Sequence, residues 1–279
     1  MSKMDISIII PCFNAQEYLL DALESVRQSN NLDNYRYEIV IVNDGSTHPD
    51  MLKLLEEVEA PDCTIIHQPN KGPGSARNTG IRHATGKFLL LLDSDNKVRR
   101  NFIDLGIWTL ERHQTDILYG QPAFFGESEE PRFKAHPFNL QTLLKGNYID
   151  TCSIMRRKVW EDIGGFDEEK IVIGHEDWDF WIRAGKAAKK FHFLDEVLYD
   201  YRISGQSLIM RMNEPSHAYK VHEYVYQKNI DLIMQYYNRM AVECQLYRHD
   251  KEKPLRSFVK YTYNKLQNSK LKSIRAIFS

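Results

Sequence analysis

The stretch Lys87–Asn96, KFLLLLDSDN, decides the fold. It runs apolar without interruption from Phe88 to Leu92 and then closes on two aspartates, Asp93 and Asp95. A short run with no polar alternation predicts a strand buried on both faces, as in a parallel sheet covered by helices on either side. A carboxylate at the end of such a strand is costly to desolvate unless water, a cation or a hydrogen-bond donor meets it. Residues two apart on an extended segment project to the same side, so Asp93 and Asp95 can face one site together.

The same rhythm holds upstream. The runs ISIII, YEIVIV and CTIIHQ read as strands, and AQEYLLDALESVRQS, PDMLKLLEEVEA and GSARNTGIRHAT between and after them read as helices. Strands apolar throughout, separated by amphipathic helices, predict an α/β domain with a doubly wound, mostly parallel sheet and helices on both faces. Downstream, FIDLGIWTLERH reads as helix and DILYG as strand, and QPAFFGESEEPRFKAHPFN is a polar, aromatic-rich excursion. SIMRRKVWEDIGGFDE and GHEDWDFWIRAGKAAKKFHFL each contain a short helix, and EVLYDYR is a strand. From about Glu214 the pattern is helical, ending in the basic stretch KPLRSFVKYTYNKLQNSKLKSIRAIFS. A boundary near Ser207–Asn213 separates the α/β domain, 1–207, from a C-terminal helical extension, 208–279.

Bulk properties narrow the classes. The 279 residues are 42% hydrophobic and 27% charged, ordinary globular values. A net charge of −1 argues against a protein that coats nucleic acid through overall charge. Cys12, Cys63, Cys152 and Cys244 are scattered and form no CxxC pair, which favours free thiols over a zinc site or disulfide framework. The N-terminal apolar run breaks at Pro11, too short for a signal segment, and no apolar stretch is long enough to span a bilayer. The chain is therefore expected to be cytoplasmic, or peripheral at the inner membrane face.

In an open parallel sheet, ligands bind beyond the carboxyl ends of the strands. YEIVIVNDGS delivers Asp44 there, and KFLLLLDSDN delivers Asp93 and Asp95. Paired carboxylates repel, and a hard cation such as Mg²⁺ or Mn²⁺, shared with substrate phosphates, relieves the repulsion. The other reading is that these aspartates cap turns, which Gly45 and Ser46 after Asp44 also suit. In NKGPGSARNTGI, Gly72 and Gly74 precede a helix whose amides, with Arg77, can meet phosphate or sugar oxygens. These glycines follow the third strand rather than the first, which counts against a dinucleotide-binding dehydrogenase. GHEDWDFWIRAG places Glu176, Asp177 and Asp179 in the first turns of a helix. They are either acids stabilised by the helix dipole or a general base held in a cleft.

Taken in order, ISIIIPCFNAQEYLLDALESV, IVIVNDGSTHPD, NKGPGSARNTGI, FLLLLDSDN, GGFDE and GHEDWDFWIRAG resemble the motifs of family-2 glycosyltransferases with the GT-A fold. The likeness runs to about Tyr201–Arg202. It implies an inverting transferase that moves a hexosyl or N-acetylhexosaminyl group from a nucleotide-diphosphate sugar, a UDP-sugar, to a hydroxyl of a glycan or lipid-linked glycan, in cell-surface polysaccharide synthesis. Residues 1–96 would form the nucleotide-sugar half and 97–207 the acceptor half. By the resemblance, Pro11, Phe13 and Asn14 border the nucleotide pocket, with Glu17 near the base or ribose. Asp44 hydrogen-bonds a uracil-type base, and Arg77 and the Gly72 loop line the nucleoside side. Asp93 contacts the ribose or the metal shell with Ser94 beside it, and Asp95 binds Mn²⁺ or Mg²⁺ directly. Asp177 is the catalytic base, and Glu176 beside it helps to orient the acceptor.

Two positions depart from the family pattern. Asn96 stands where many relatives have a further acid, and YRISGQS offers Ser204 and Gln206 where relatives often have a histidine. Both departures predict a leaner metal site. A sugar nucleotidyltransferase would carry a glycine-rich loop directly after the first strand, where this chain has PCFNAQ. A non-catalytic glycan-binding module is the alternative from another class. The basic tail from Pro254 fits two partners, an anionic membrane surface or a packing face such as a second subunit.

Overall fold

The computed structural model describes residues 4–204 and 215–252. The chain divides into two compact units, Met1–Gln227 and Lys228–Ser279. The first unit begins with the predicted alternation: β1 (Ile6–Cys12), α1 (Leu19–Arg27), β2 (Tyr37–Asp44), α2 (Pro49–Val58), β3 (Cys63–Gln68), α3 (Pro73–His83) and β4 (Phe88–Leu91). It continues through β5 (Lys97–Val98), α4 (Phe102–Arg112), β6 (Ile117–Gly126), α5 (Leu140–Leu143), β7 (Ile154–Arg156), α6 (Arg157–Ile163), α7 (Glu176–Lys186) and β8 (Phe191–Ile203). Helix α8 (Pro215–Lys228) closes it, and α9 (Ile230–Glu252) lies in the second unit.

The strands form one sheet in the order β3-β2-β1-β4-β7-β6-β8-β5. β1 pairs in parallel with both β2 and β4, and β2 with β3. The register sets Cys12 beside Asn43 and Ile9 beside Leu91, so the carboxyl ends of β1, β2 and β4 share one edge. Every side chain of β1 and β4 is buried, as their unbroken apolar runs require. β7 then runs antiparallel between β4 and β6, β6 pairs in parallel with β8, and β5 lies antiparallel on β8. The sheet is thus mostly parallel with an antiparallel insertion, the α/β architecture expected.

Two segments differ from their sequence reading. Gln121–Gly126, read as the start of an irregular excursion, extends β6, and β8 begins at Phe191 rather than near Glu196. The two strands pair along this length through register shifts at Gly120/Gln121 and Gln121/Pro122. These irregularities accommodate a proline that cannot donate to the ladder, and they erase the period-2 signal. Helix α7 ends because Ala188 adopts φ 55°, which turns the chain into β8.

Helix α3 positions the site. Its glycine at Gly80 lies so close to the sheet that a Cβ there would meet Ile9 Cγ2 at 2.7 Å and Val42 Cγ2 at 3.0 Å. On its other side, Asn78 satisfies its whole amide: Nδ2 donates to Phe166 O and Glu168, while Oδ1 accepts from Phe166 N and Trp160 Nε1. The GGFDE segment is thereby fastened to the helix that bears Arg77. Tyr226 of α8 donates to Leu144 O at 2.8 Å, Tyr224 to Asp167 at 2.9 Å, and the His222 ring lies 4.6 Å from that of Trp178. These contacts pack α8 onto the rest of the first unit.

The Ser207–Asn213 boundary itself, Gln206 and the basic tail from Pro254 lie outside the described residues. Among the described residues, no helix is long and apolar enough to cross a membrane.

Candidate active site

The shared edge of β1, β2 and β4 gathers the predicted residues of the first half. Pro11 is buried within β1, and Phe13 follows the strand with half its surface exposed. Asn14 takes a left-handed backbone, φ 48°, and its Oδ1 accepts the N–H groups of Thr47 and His48, each at 3.0 Å. It clamps the β1 turn onto the β2 turn. Glu17 is exposed and Ser94 half-buried. Asp44 is buried and accepts from Gln68 Nε2 at 2.7 Å, Lys71 N at 2.9 Å and Gly72 N at 2.8 Å. Its carboxylate holds the Gly72 loop, and Gly72 itself needs φ +89° to enter α3.

Arg77 is the hub. Its guanidinium is buried and donates from Nη2 to Asp93 and from Nη1 to Glu176, each at 2.5 Å. Burial opposes its charge, yet the two carboxylates raise its pKa above the ordinary arginine value. Arg77 therefore joins the end of β4 to the start of α7. Glu176 is committed on both oxygens, since Oε2 accepts Gly174 N at 2.7 Å. The third acid of the segment, Asp179, is fully buried and paired with Arg183 at 2.7 Å. Of the three acids read at the start of α7, Asp177 lines a pocket.

That pocket has a volume of about 380 Å³, and Asn147, Asp150, His175, Asp177, Tyr201 and Arg202 are among its lining residues. Asp177 Oδ2 accepts from Asn147 Nδ2 at 2.8 Å, which orients the carboxyl. Burial, reinforced by Glu176 and Asp150, pushes the Asp177 pKa well above the usual carboxylate range. Burial with Asp93 nearby pushes Asp150 up to about 7, and the same two causes push Asp95 up to about 6. Asp95 and Asp150 are thereby held near the range where a carboxyl can exchange a proton or accept a cation.

Asn96 is not part of that electrostatic set. It is buried, and its Oδ1 accepts Arg202 N at 2.9 Å, while Arg202 Nε donates to Asp95 O at 3.0 Å. The side chain fastens the aspartate turn to β8, so an acid there would be spent on the same bond. Sequence reasoning missed Asn147, Asp150 and Arg202. The available signal was weak: GNYIDT is a polar pair of positions just ahead of the apolar CSIM, a pattern that any loop before a strand can show.

Residues 7–164 match the model of the family described as Glycosyl transferase family 2. The chain is 30% identical over 215 residues to an uncharacterized glycosyltransferase, RC0461, of Rickettsia conorii, covering 74% of this chain and 34% of that protein. It is 29% identical over 227 residues to the uncharacterized glycosyltransferase EpsJ of Bacillus subtilis, covering 73% and 62%. The chain spans 26% to 34% of the length of the Rickettsia relatives it matches. Among solved structures, S. aureus TarS 1–349 in complex with UDP-GlcNAc superposes with a TM-score of 0.65 at 22% identity, over 80% of this chain and 65% of that one. That likeness establishes the GT-A arrangement of the sheet. Since the family model covers more than half of the sequence, the chain belongs to glycosyl transferase family 2.

Proposed function

We propose that the chain transfers a hexosyl or N-acetylhexosaminyl group, with inversion, from a UDP-sugar to a hydroxyl of a glycan or lipid-linked glycan in cell-surface polysaccharide assembly. The observation that carries this reading is Asp177, oriented by Asn147 in a pocket of sugar-sized volume and joined through the Glu176–Arg77–Asp93 chain to the strand ends. The UDP and UDP-GlcNAc complexes of TarS support a UDP-linked donor.

Inversion in one displacement needs a base that takes the acceptor hydroxyl proton as that oxygen attacks C1 from the side opposite the leaving diphosphate. A carboxylate has more lone-pair positions than the Asn147 amide and the Trp178 N–H occupy, so Asp177 retains room for that hydroxyl. Its raised pKa makes it a stronger proton acceptor than an ordinary carboxylate. Asn147 holds the carboxyl in place, and Glu176, locked by Arg77 and Gly174, sets the first turn of α7 beneath it.

The residues fit a divalent cation. The Asp95 carboxyl has a raised pKa beside Asp93, and the described residues hold no group of three or more metal-ligating side chains. Mn²⁺ or Mg²⁺ would thus be held by Asp95, with Asp93 next to it, and completed by phosphate oxygens and water. Bound there, it would supply Lewis-acid neutralisation of the departing diphosphate.

UDP release from a panel of UDP-sugars with Mn²⁺ and glycan acceptors tests the reading. Asp177→Asn should leave UDP affinity within about twofold and lower turnover by roughly 10²–10⁴. Full turnover in that variant refutes the base assignment. Pyrophosphate-dependent UTP formation would instead make the chain a nucleotidyltransferase.

A further inference from the structure

Asp150 has no part in the roles given above. It lies in the loop ahead of β7 and lines the same pocket as Asp177, Tyr201 and Arg202. The other acids around it have protein partners that explain them: Asp93 and Glu176 hold Arg77, and Asp177 is oriented by Asn147. Asp150 accepts from Cys152 N to Oδ1 at 2.9 Å, which forms a local turn, and from the hydroxyl of buried Tyr199. An asparagine oxygen can serve such neutral donors as well, because each bond needs only an acceptor. Neither the turn nor the tyrosine bond therefore accounts for the charge.

The charge is also costly. Asp150 is within Coulombic reach of Asp93 on the strand-end side and of Asp177 on the base side. A carboxylate set between two others, with two neutral donors against about four lone-pair positions, keeps room to accept further hydrogen bonds from the pocket it lines. In a single displacement the transferred ring must lie between the diphosphate at the strand ends and the acceptor oxygen at Asp177. The wall that this ring meets carries Asp150.

We propose that Asp150 binds the sugar ring of the donor, its carboxylate accepting hydrogen bonds from the ring hydroxyls, and so sets which sugar is transferred. This rests on the glycosyl-transfer reading above. Sugar hydroxyls are donors in fixed directions, so one carboxylate oxygen discriminates between epimers that present or withdraw a hydroxyl.

The test is calorimetric titration of native protein, Asp150→Asn and Asp150→Ala with UDP and with UDP-glucose, UDP-galactose, UDP-GlcNAc and UDP-GalNAc, all with Mn²⁺. Both variants should keep UDP affinity within about twofold. They should lose about ten- to a hundredfold in affinity for the UDP-sugar that native protein prefers, the loss expected for a hydrogen bond to a charged group. The spread among the four sugars should shrink with it. Because Asp150→Asn removes a crowded charge and keeps the turn, it should unfold at or above the native temperature. An undiminished preference in both variants overturns the assignment. So does an equal loss for UDP and UDP-sugar, which would place Asp150 at the cation or nucleotide. Native protein that binds neither UDP nor any UDP-sugar overturns the functional reading first, and this inference with it.

Discussion

Replacing Arg77 by methionine tests whether the site is held by one buried cation. The guanidinium side chain is 4% exposed, as is fitting for the partner of Glu176 at 6%, whereas Asp93 at 30% keeps water. Arg77→Met leaves the Glu176 carboxylate buried with the Gly174 N–H as a remaining donor. Breaking a buried pair by removing one partner costs about 3–5 kcal/mol, most of it here from Glu176, because exposed Asp93 recovers solvation. For a unit of this size that corresponds to a Tm lower by roughly 6–20 °C. Differential scanning calorimetry of native protein, Arg77→Met and Arg77→Met/Glu176→Gln measures it. The double variant removes the stranded charge and should recover a large part of the loss. A single variant within about 2 °C of native protein, or a double variant no more stable than the single, would refute the hub.

Three further outcomes follow from the geometry. Asp95 has a pKa raised from 3.8 to about 6, so its protonated form favours the folded state; that contribution is full below about pH 3.8 and is lost as pH rises through 6. Asp95→Asn should therefore be more stable than native metal-free protein by up to about 3 kcal/mol at pH 7.5, converge with it near pH 4, and no longer be stabilised by Mn²⁺. A constant difference across that range in denaturant titrations would contradict the titration. Asn147→Ala should lower kcat about tenfold while UDP affinity is unchanged, because it frees the base to rotate; equal losses in both would assign Asn147 to the donor. Gly80→Ala, despite a better helix former, should destabilise by about 1–3 kcal/mol in urea, since the added methyl meets Ile9 and Val42. A stabilised variant would mean that α3 can lift from the sheet without cost.

The alternation of strands and helices through β4, the burial of β1 and β4, and the placing of Asp44, Asp93 and Asp95 at strand ends were all legible in the chain. These properties depend on near neighbours: apolar runs, helical spacing, and aspartates directly after the runs. The same holds for the acids at the start of α7. Their separate duties were not legible, because identical residues in one turn differ only in what packs against them. Glu176 meets Arg77 from 99 residues away, Asp177 meets Asn147 from 30, and Asp179 meets Arg183 within its own helix. β6 and β8 likewise hid their length, since pairing across a bulge satisfies backbone groups that no local period reveals. By itself the sequence determined the family's strands and the acids at their ends, through local periodicity. Only the tertiary structure decided that Arg77 is a buried hub, that Asn96 ties the turn to β8, and that Asp150 faces the pocket. Each of those depends on which distant group arrives to share or withhold a hydrogen bond in a site of low dielectric.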